Sequence, residues 1–468
     1  MSAQLSKTQL SESEIAGFEA THENINVERT FSDDFEQKKT NKKVKGKSNK
    51  STQRLGQTET DMSQSMILKL VPHWFSSGFA FGKGESFAQP KQAAQTFDQT
   101  FILLSMTFYM IGLIMVASSS MPVAERMFGN PFHFVVRHAI YIFLSLITAA
   151  IALQVPMSWW QKYSGHLLTI GISLLVVVLL AGHSVNGSKR WIKLGPITIQ
   201  AAEPAKFFFY CYLAAYLVRR REQVMENIKG FIKPLVVLGI LAGLLLLQPD
   251  LGTIIVMFVT TFGLLFLAGA KLWQFIGVAL LGGALLAMLA VYEPYRWRRI
   301  TGFLDPWQDP FNTGYQLTQS LMAYGRGEGL GQGLGNSIQK LEYLPEAHTD
   351  FVMAILAEEF GFLGVSVILL LSMVLVFKAL LLGRKALTKE KYFEGFFAYA
   401  IGIWFCFQTA VNIGASAGIV PTKGLTMPLI SYGGSSMIIM TLAVVVLIRI
   451  DHEIRIQSIQ ATSTKGRK

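Results

Sequence analysis

Beyond Asp98 the chain alternates between long uninterrupted apolar runs and shorter polar connectors. Ten runs stand out: Phe101–Ala117, Ala139–Val155, Leu167–Gly182, Ala201–Val218, Phe231–Leu247, Leu251–Ala270, Leu272–Val291, Phe351–Phe377, Phe396–Ala417 and Leu425–Ile448. None shows the polar–apolar alternation of a barrel strand. A backbone in lipid must satisfy its own hydrogen bonds, so each run predicts a helix. A hydrocarbon core of about 30 Å takes about 20 helical residues, and the shorter runs reach that length with their flanks. The pattern predicts an all-α polytopic membrane protein of ten transmembrane helices, with one long loop (292–349) between helices 7 and 8.

The first 97 residues carry no such run. Residues 1–60 are polar and mixed in charge, with the basic cluster KKTNKKVKGKSNK from Lys38 to Lys50. That composition buries too little apolar surface to offset chain entropy. Met66–Phe81, MILKLVPHWFSSGFAF, is too short and interrupted to span, and suits an amphipathic segment in the interface. The expected organisation is a largely disordered cytoplasmic tail over 1–97, a ten-helix membrane domain over 98–450, and a cytoplasmic C-terminal tail over 451–468.

Composition sharpens this reading. Hydrophobic residues make up 51% and charged residues 15% of the chain, against about 45–50% and ~25% in ordinary globular proteins. A net charge of +12 on a soluble chain would suggest nucleic acid, but here the basic residues flank apolar runs, as the positive-inside rule requires. Ten spans put both termini on one side. The loops of that side hold Lys162; Arg219, Arg220, Arg221, Lys229 and Lys233; Lys271; and Lys378, Arg384, Lys385, Lys389 and Lys391. The opposite short loops are poorer in basic residues, with Arg126, then Lys189, Arg190 and Lys193, then Lys423. Both termini are therefore expected in the cytoplasm, and the long loop outside. Cys211 and Cys406 lie in apolar runs and make neither a disulfide framework nor a metal pattern.

In such a chain the informative residues are charges inside or at the lips of spans, because each costs about 2.5–3.5 kcal/mol at a helix centre. Glu203 and Lys206 are three residues apart in AAEPAK and share a helix face; they read equally as a structural ion pair or as a polar lining beneath a substrate site. Before them, NGSKRWIKLGPITIQ carries outward Lys189, Arg190 and Lys193 around Trp191, which suits an anionic ligand. GHSVNGSK nearby is a near miss of a phosphate-binding loop, without the final GK[ST] and on the wrong side for ATP. In QPDLG (248–252), Pro249 ends one helix and Asp250 caps the next. The long loop contributes Arg296, Arg298 and Arg299 with Trp297 as a cationic patch. Its alternating glycines from 325 to 335 read as a flexible segment. LPEAHTD brings Glu346, His348 and Asp350 to the start of the eighth span. Asp350 there is either a helix cap or a base whose pKa is raised by desolvation. His348 lacks a second histidine at metal spacing, which argues against zinc.

These outward cations and carboxylates above an apolar bundle suit a ligand with an anionic head and a hydrophobic tail. The closing region, Asn412 to Ser436, with Gly418, Pro421, Gly424, Leu429 and SYGGSS at 431–436, resembles the signature of the SEDS family (shape, elongation, division and sporulation). QPDLG, DPFNTGYQ and LPEAHTDF are further family motifs, in the family's order, and the resemblance covers about residues 98–455. GAKLWQ, LEYLPEAHTDF and PTKGLTMPLISYGG resemble the division branch rather than the elongation branch.

The resemblance implies ten helices in a bacterial inner membrane and a peptidoglycan glycosyltransferase that polymerises lipid II at the division septum. It also implies a class B penicillin-binding protein, the septal transpeptidase, as partner, among other divisome membrane proteins and membrane lipid, and no nucleic acid. By the same resemblance Asp350 is the catalytic aspartate, Trp191 the loop tryptophan, Glu203 and Lys206 the charged fourth-span pair, and Glu342 the activation-sensitive loop glutamate. Substrate binding is expected to involve Arg190, Trp191, Glu203, Lys206, Arg298, Glu342, Glu346, His348, Lys423 and Ser431. Two positions depart from the family pattern: QP-x-E reads Gln200-Ala201-Ala202-Glu203 with proline at 204, and the lysine of KG-x-x-RW is Asn186, with Lys189 as its substitute. In the implied reaction Asp350 takes the proton of the acceptor sugar's 4-hydroxyl in one inverting displacement. Arg190, Lys206, Arg298 or Lys423 stabilises the leaving diphosphate, alone or with a divalent cation such as magnesium or manganese. No cofactor is otherwise called for. A lipid II flippase and a non-catalytic divisome scaffold are the alternative functions.

Overall fold

A computed structural model describes residues 97–468 except 186–187, 195–196, 293–302, 422–423 and 466–468. The N-terminal tail with its basic cluster, and the interfacial segment expected at 66–81, lie outside the described residues.

The chain folds into helices α1 (Gln99–Phe128), α2 (His133–Ala152) and α3 (Met157–Ala181), a small sheet of β1 (His183–Val185), β2 (Ser188–Leu194) and β3 (Ile197–Gln200), then α4 (Ala202–Glu226), α5 (Ile228–Leu246), α6 (Leu251–Leu267), α7 (Leu272–Tyr292), α8 (Tyr315–Gly327), α9 (Val352–Thr388), α10 (Tyr392–Ser416) and α11 (Gly434–Lys465). Each of the ten apolar runs overlaps one of these helices. Among the described residues seven helices (α1, α2, α3, α5, α9, α10 and α11) are long and apolar enough to cross a membrane by length and composition. α6 is shorter, and α4 is diluted by its charges at both ends.

Local chemistry sets the boundaries. Asp98 caps α1 by accepting from the Thr100 N–H at 2.8 Å, and Gly129 ends it in the left-handed conformation. Asp250 caps α6 as the sequence suggests, accepting from Thr253 through both its N–H (3.3 Å) and its hydroxyl (2.9 Å). α9 is broken at Gly361, whose φ of 66° is open to glycine and strained for other residues.

α4, α10 and α11 form the centre: Phe207, Tyr210, Phe397 and Trp404 are wholly enclosed there, and α11 is buried along most of its apolar stretch. α9 and α10 approach closely through Gly395 and Gly402, where a β-carbon would meet Leu387 and Ala379. The outer helices instead expose large apolar side chains such as Leu103, Phe143 and Leu180. On a soluble protein so much exposed apolar surface would be a liability; around a bundle it is the lipid-facing belt.

Three expectations need correction. The stretch expected to be an outward loop before α4 is an antiparallel sheet in the order β1-β2-β3, with Trp191 opposite both His183 and Gln200. The last helix begins at Gly434 rather than Leu425, because Pro428 lacks an N–H and Leu429 adopts φ 61°. The alternating glycines do not form a loose loop. A β-carbon at Gly327 would lie 1.9 Å from the Ala357 carbonyl oxygen, and one at Gly331 would lie 2.2 Å from that of Glu359. The segment is pressed backbone to backbone on the broken part of α9, with Gln332 N–H and Gly333 N–H donating to the Glu358 and Glu359 carbonyls (3.0 and 2.9 Å). Two buried carboxylates fasten it. Glu358 accepts from Arg326, Ser337 and the Ile338 N–H, and Glu359 accepts from Lys340 (2.9 Å) and from Ser118 of α1 (2.5 Å).

Candidate active site

Asp350 lies in the turn that delivers the chain into α9. The helix cap position is Phe351, with no side-chain cap, so the capping reading of Asp350 fails. The turn is shaped by Glu346, at φ 57°, whose carbonyl accepts from the N–H groups of Thr349 and Phe351 and whose carboxylate accepts from the Thr349 hydroxyl at 2.7 Å. Asn412 of α10 donates to the Asp350 carbonyl at 3.0 Å and to the Leu425 carbonyl at 2.6 Å. One amide thereby holds the 346–350 turn beside the segment that follows Gly424. Tyr432 closes the other side, its N–H donating to the His348 carbonyl at 3.0 Å.

The Asp350 carboxylate itself is uncommitted. Among the described residues nothing donates a hydrogen bond to it and no cation pairs with it. Arg190 faces it from β2, but its Nε and Nη2 donate to the carbonyls of Gln248 (2.8 Å) and Pro249 (2.5 Å). A β-carbon at Gly424 would stand 3.2 Å from Asp350 Oδ2 and 3.9 Å from Arg190 Nη1, so the bare glycine keeps open the space these two groups border. The Asp350 carboxyl is pushed up to about 7 by burial and by the neighbouring charge of Glu346; Arg190 opposes the rise and Asp250 adds to it. His348 is pushed down by burial against the opposing charge of Glu346. A carboxylate near neutrality with free lone pairs can accept a proton from an alcohol.

Glu203 and Lys206 do form a pair, at 3.1 Å, but a wholly enclosed one. Lys206 also donates to Gln408 Oε1 at 3.1 Å and sits 4.6 Å from the centre of the Trp404 ring. Gln408 accepts from Trp404 Nε1 at 2.6 Å and donates to the Thr426 carbonyl at 2.9 Å. This chain of contacts leads to the backbone two residues from Gly424. It places Glu203 and Lys206 as positioning groups, and direct contact of Lys206 with a leaving group does not fit its enclosure. Ser431 is likewise structural, its buried hydroxyl accepting from the Met427 N–H at 2.8 Å. Glu342, at φ 71°, pairs with Arg126 at the end of α1 (2.5 Å). Trp191 is half-buried in β2. Arg298 and Lys423 lie outside the described residues.

Arg137, at the start of α2, is a further cation near the site that the apolar run at Ala139 leaves out; its signal in the sequence is a basic residue just before that run. Among the described residues no three metal-binding side chains come together.

The family of FtsW, RodA and SpoVE, described as "Cell cycle protein", matches residues 98–456. The chain is 62% identical over 396 residues to the "Probable peptidoglycan glycosyltransferase FtsW" of Pseudoalteromonas atlantica, covering 84% of this chain and 81% of that one. It is 54% identical over 365 residues to the protein of that name from Escherichia coli O157:H7, covering 78% and 88%. Among solved structures it is similar to a chain described under "Structural coordination of polymerization and crosslinking by a peptidoglycan synthase complex" (29% identity, TM-score 0.62, 76% of this chain and 98% of that one). It is also similar to the Rod shape determining protein RodA of Thermus thermophilus (26% identity, TM-score 0.56, covering 76% and 97%).

Proposed function

The chain belongs to the FtsW, RodA and SpoVE family of cell cycle proteins, and from that premise we propose that it is an inner-membrane peptidoglycan glycosyltransferase that polymerises lipid II at the division septum. Relatives at 54–63% identity bearing the glycosyltransferase name support the activity. The observation that carries the chemistry is the uncommitted, partly buried Asp350 carboxylate facing Arg190 across the space kept by Gly424.

All ten long helices cross the membrane, with the 1–97 and 451–468 tails in the cytoplasm and the sheet, α8, the glycine segment and Asp350 on the outer side. The 4-hydroxyl of an incoming disaccharide gives its proton to Asp350 as its oxygen attacks the anomeric carbon of the growing glycan. The new oxygen–carbon bond forms as the bond to the prenyl diphosphate breaks, with inversion and a β-1,4 product. The diphosphate leaves with its charge opposed by Arg190, Arg298 and Lys423, since fixed cations stabilise charge where it develops. Lys206 and Glu203 hold the floor of the site.

A class B penicillin-binding protein is the partner that crosslinks the product, a reading supported by the polymerisation and crosslinking complex among the similar structures. The test is purified protein, with and without that transpeptidase, given labelled lipid II. Glycan chains are expected. Movement of lipid II between leaflets without chain formation would make it a flippase, and neither activity a scaffold.

A further inference from the structure

The outward end of α2 carries chemistry that the reaction above leaves unused. Arg137 is exposed, and its guanidinium stands beside the Tyr432 hydroxyl. Among the described residues no carboxylate pairs with it. Around Tyr432 the rings of Phe134 and His348 close a triangle with centroid separations of 4.6, 5.4 and 5.5 Å, and His138 lies 6.1 Å away on the same tyrosine. Both ring nitrogens of wholly buried His138, and Nδ1 of His348, have no hydrogen-bond partner among the described residues. Buried polar atoms are nearly always paired, so an unpaired group beside an unneutralised cation asks for a ligand. The cluster is built into the fold: a β-carbon at Gly434 would lie 2.3 Å from the Tyr141 ring, so the 432–434 turn is pressed onto α2.

Polymerisation of a lipid-linked saccharide brings two diphosphates to one membrane face, one on each substrate. The donor's diphosphate is bonded to the reacting carbon and belongs beside Asp350 and Arg190. The acceptor's is separated from its attacking hydroxyl by a disaccharide and needs a second cation elsewhere. Arg190 approaches Asp350 from β2, whereas Arg137 reaches the same turn from α2 through Tyr432 and His348. We propose that Arg137, with the half-buried His348 imidazole that packs on the same Tyr432 ring, binds the diphosphate of the acceptor lipid. The assignment to the acceptor rests on the polymerase reading; the phosphate site itself does not.

The test uses the full chain with Asp350→Asn, which holds substrate without turning it over, in nanodiscs with labelled lipid II. Arg137→Gln in that background is expected to weaken binding roughly ten- to a hundredfold, the worth of a charge-assisted hydrogen-bond set. Arg137→Lys is expected to keep most of it, which separates lost charge from lost fold. Undecaprenyl diphosphate should displace lipid II from the Asp350→Asn protein, and phosphatidylglycerol at the same mole fraction should not. Unchanged affinity in Arg137→Gln, or equal displacement by phosphatidylglycerol, overturns the proposal, the latter by making the cluster a general headgroup anchor. In the active enzyme Arg137→Gln should raise KM for lipid II and leave kcat within about twofold, while a fall in kcat alone overturns the acceptor assignment. If the parent chain makes no glycan yet binds undecaprenyl diphosphate through Arg137, the polymerase reading fails and the phosphate site stands.

Discussion

Lys206→Met keeps the length of the side chain and removes its charge from the most enclosed ion pair of the bundle. Glu203 would be left buried with no donor to either oxygen, since Oε2 already has none and Oε1 has Lys206 alone. Gln408 Oε1 would retain only Trp404. Breaking one side of a buried pair costs about 3–5 kcal/mol, because the remaining charge stays desolvated. At roughly 2 °C per kcal/mol for a large domain, the melting midpoint in detergent should fall by about 6–10 °C. Glu203→Gln together with Lys206→Met leaves no buried charge and should recover at least half of that loss. Glycan synthesis should follow the same order, because Gln408 fixes the Thr426 carbonyl near the turn that carries Asp350. A single variant that melts with the parent, or a double variant as unstable as the single, would refute the reasoning.

Four further outcomes are expected. Because Asp350 titrates near 7, kcat/KM for polymerisation should fall as pH drops through that value. Glu346→Gln removes a charge that raises the pKa and should move the midpoint down, whereas Arg190→Gln should move it up. The same raised pKa means that ionising Asp350 costs stability as pH rises from the carboxylate range through 7, so Asp350→Asn should melt no lower than the parent at pH 8. Gly424→Ala places a methyl 3.2 Å from Asp350 Oδ2 and should depress kcat without a change in melting midpoint, measured with labelled lipid II. Gly331→Ala must hold φ 83° with its β-carbon against the Glu359 carbonyl, a strain of about 1–3 kcal/mol or more; limited proteolysis should then cut the glycine segment faster.

Much of the helical frame was legible in the chain, because an apolar run in lipid has one stable backbone solution. The Glu203–Lys206 pair was legible too, from spacing alone. What enclosed it was not, since Trp404 and Gln408 come from a helix some 200 residues away. The small sheet was hidden by glycine and proline within NGSKRWIKLGPITIQ and by the absence of alternation in KRWIKL; only the short ITIQ alternates. The glycine segment looked flexible because nothing local shows that its partner is the backbone of α9. For Asp350 the cap and the base were both open readings, and only the cap geometry at Phe351 and the free carboxylate separate them. Arg137 lies in the connector before the run at Ala139, and its importance depends on Tyr432, distant in sequence and adjacent in space.

The central claim is that Asp350 removes the proton from the attacking sugar. Its most direct test is glycan synthesis from labelled lipid II by Asp350→Asn in complex with the transpeptidase partner, alongside lipid II binding and melting. General-base catalysis predicts a loss of at least about a hundredfold in rate with binding and stability retained. Glycan chains made by the variant at near the parent rate would contradict it.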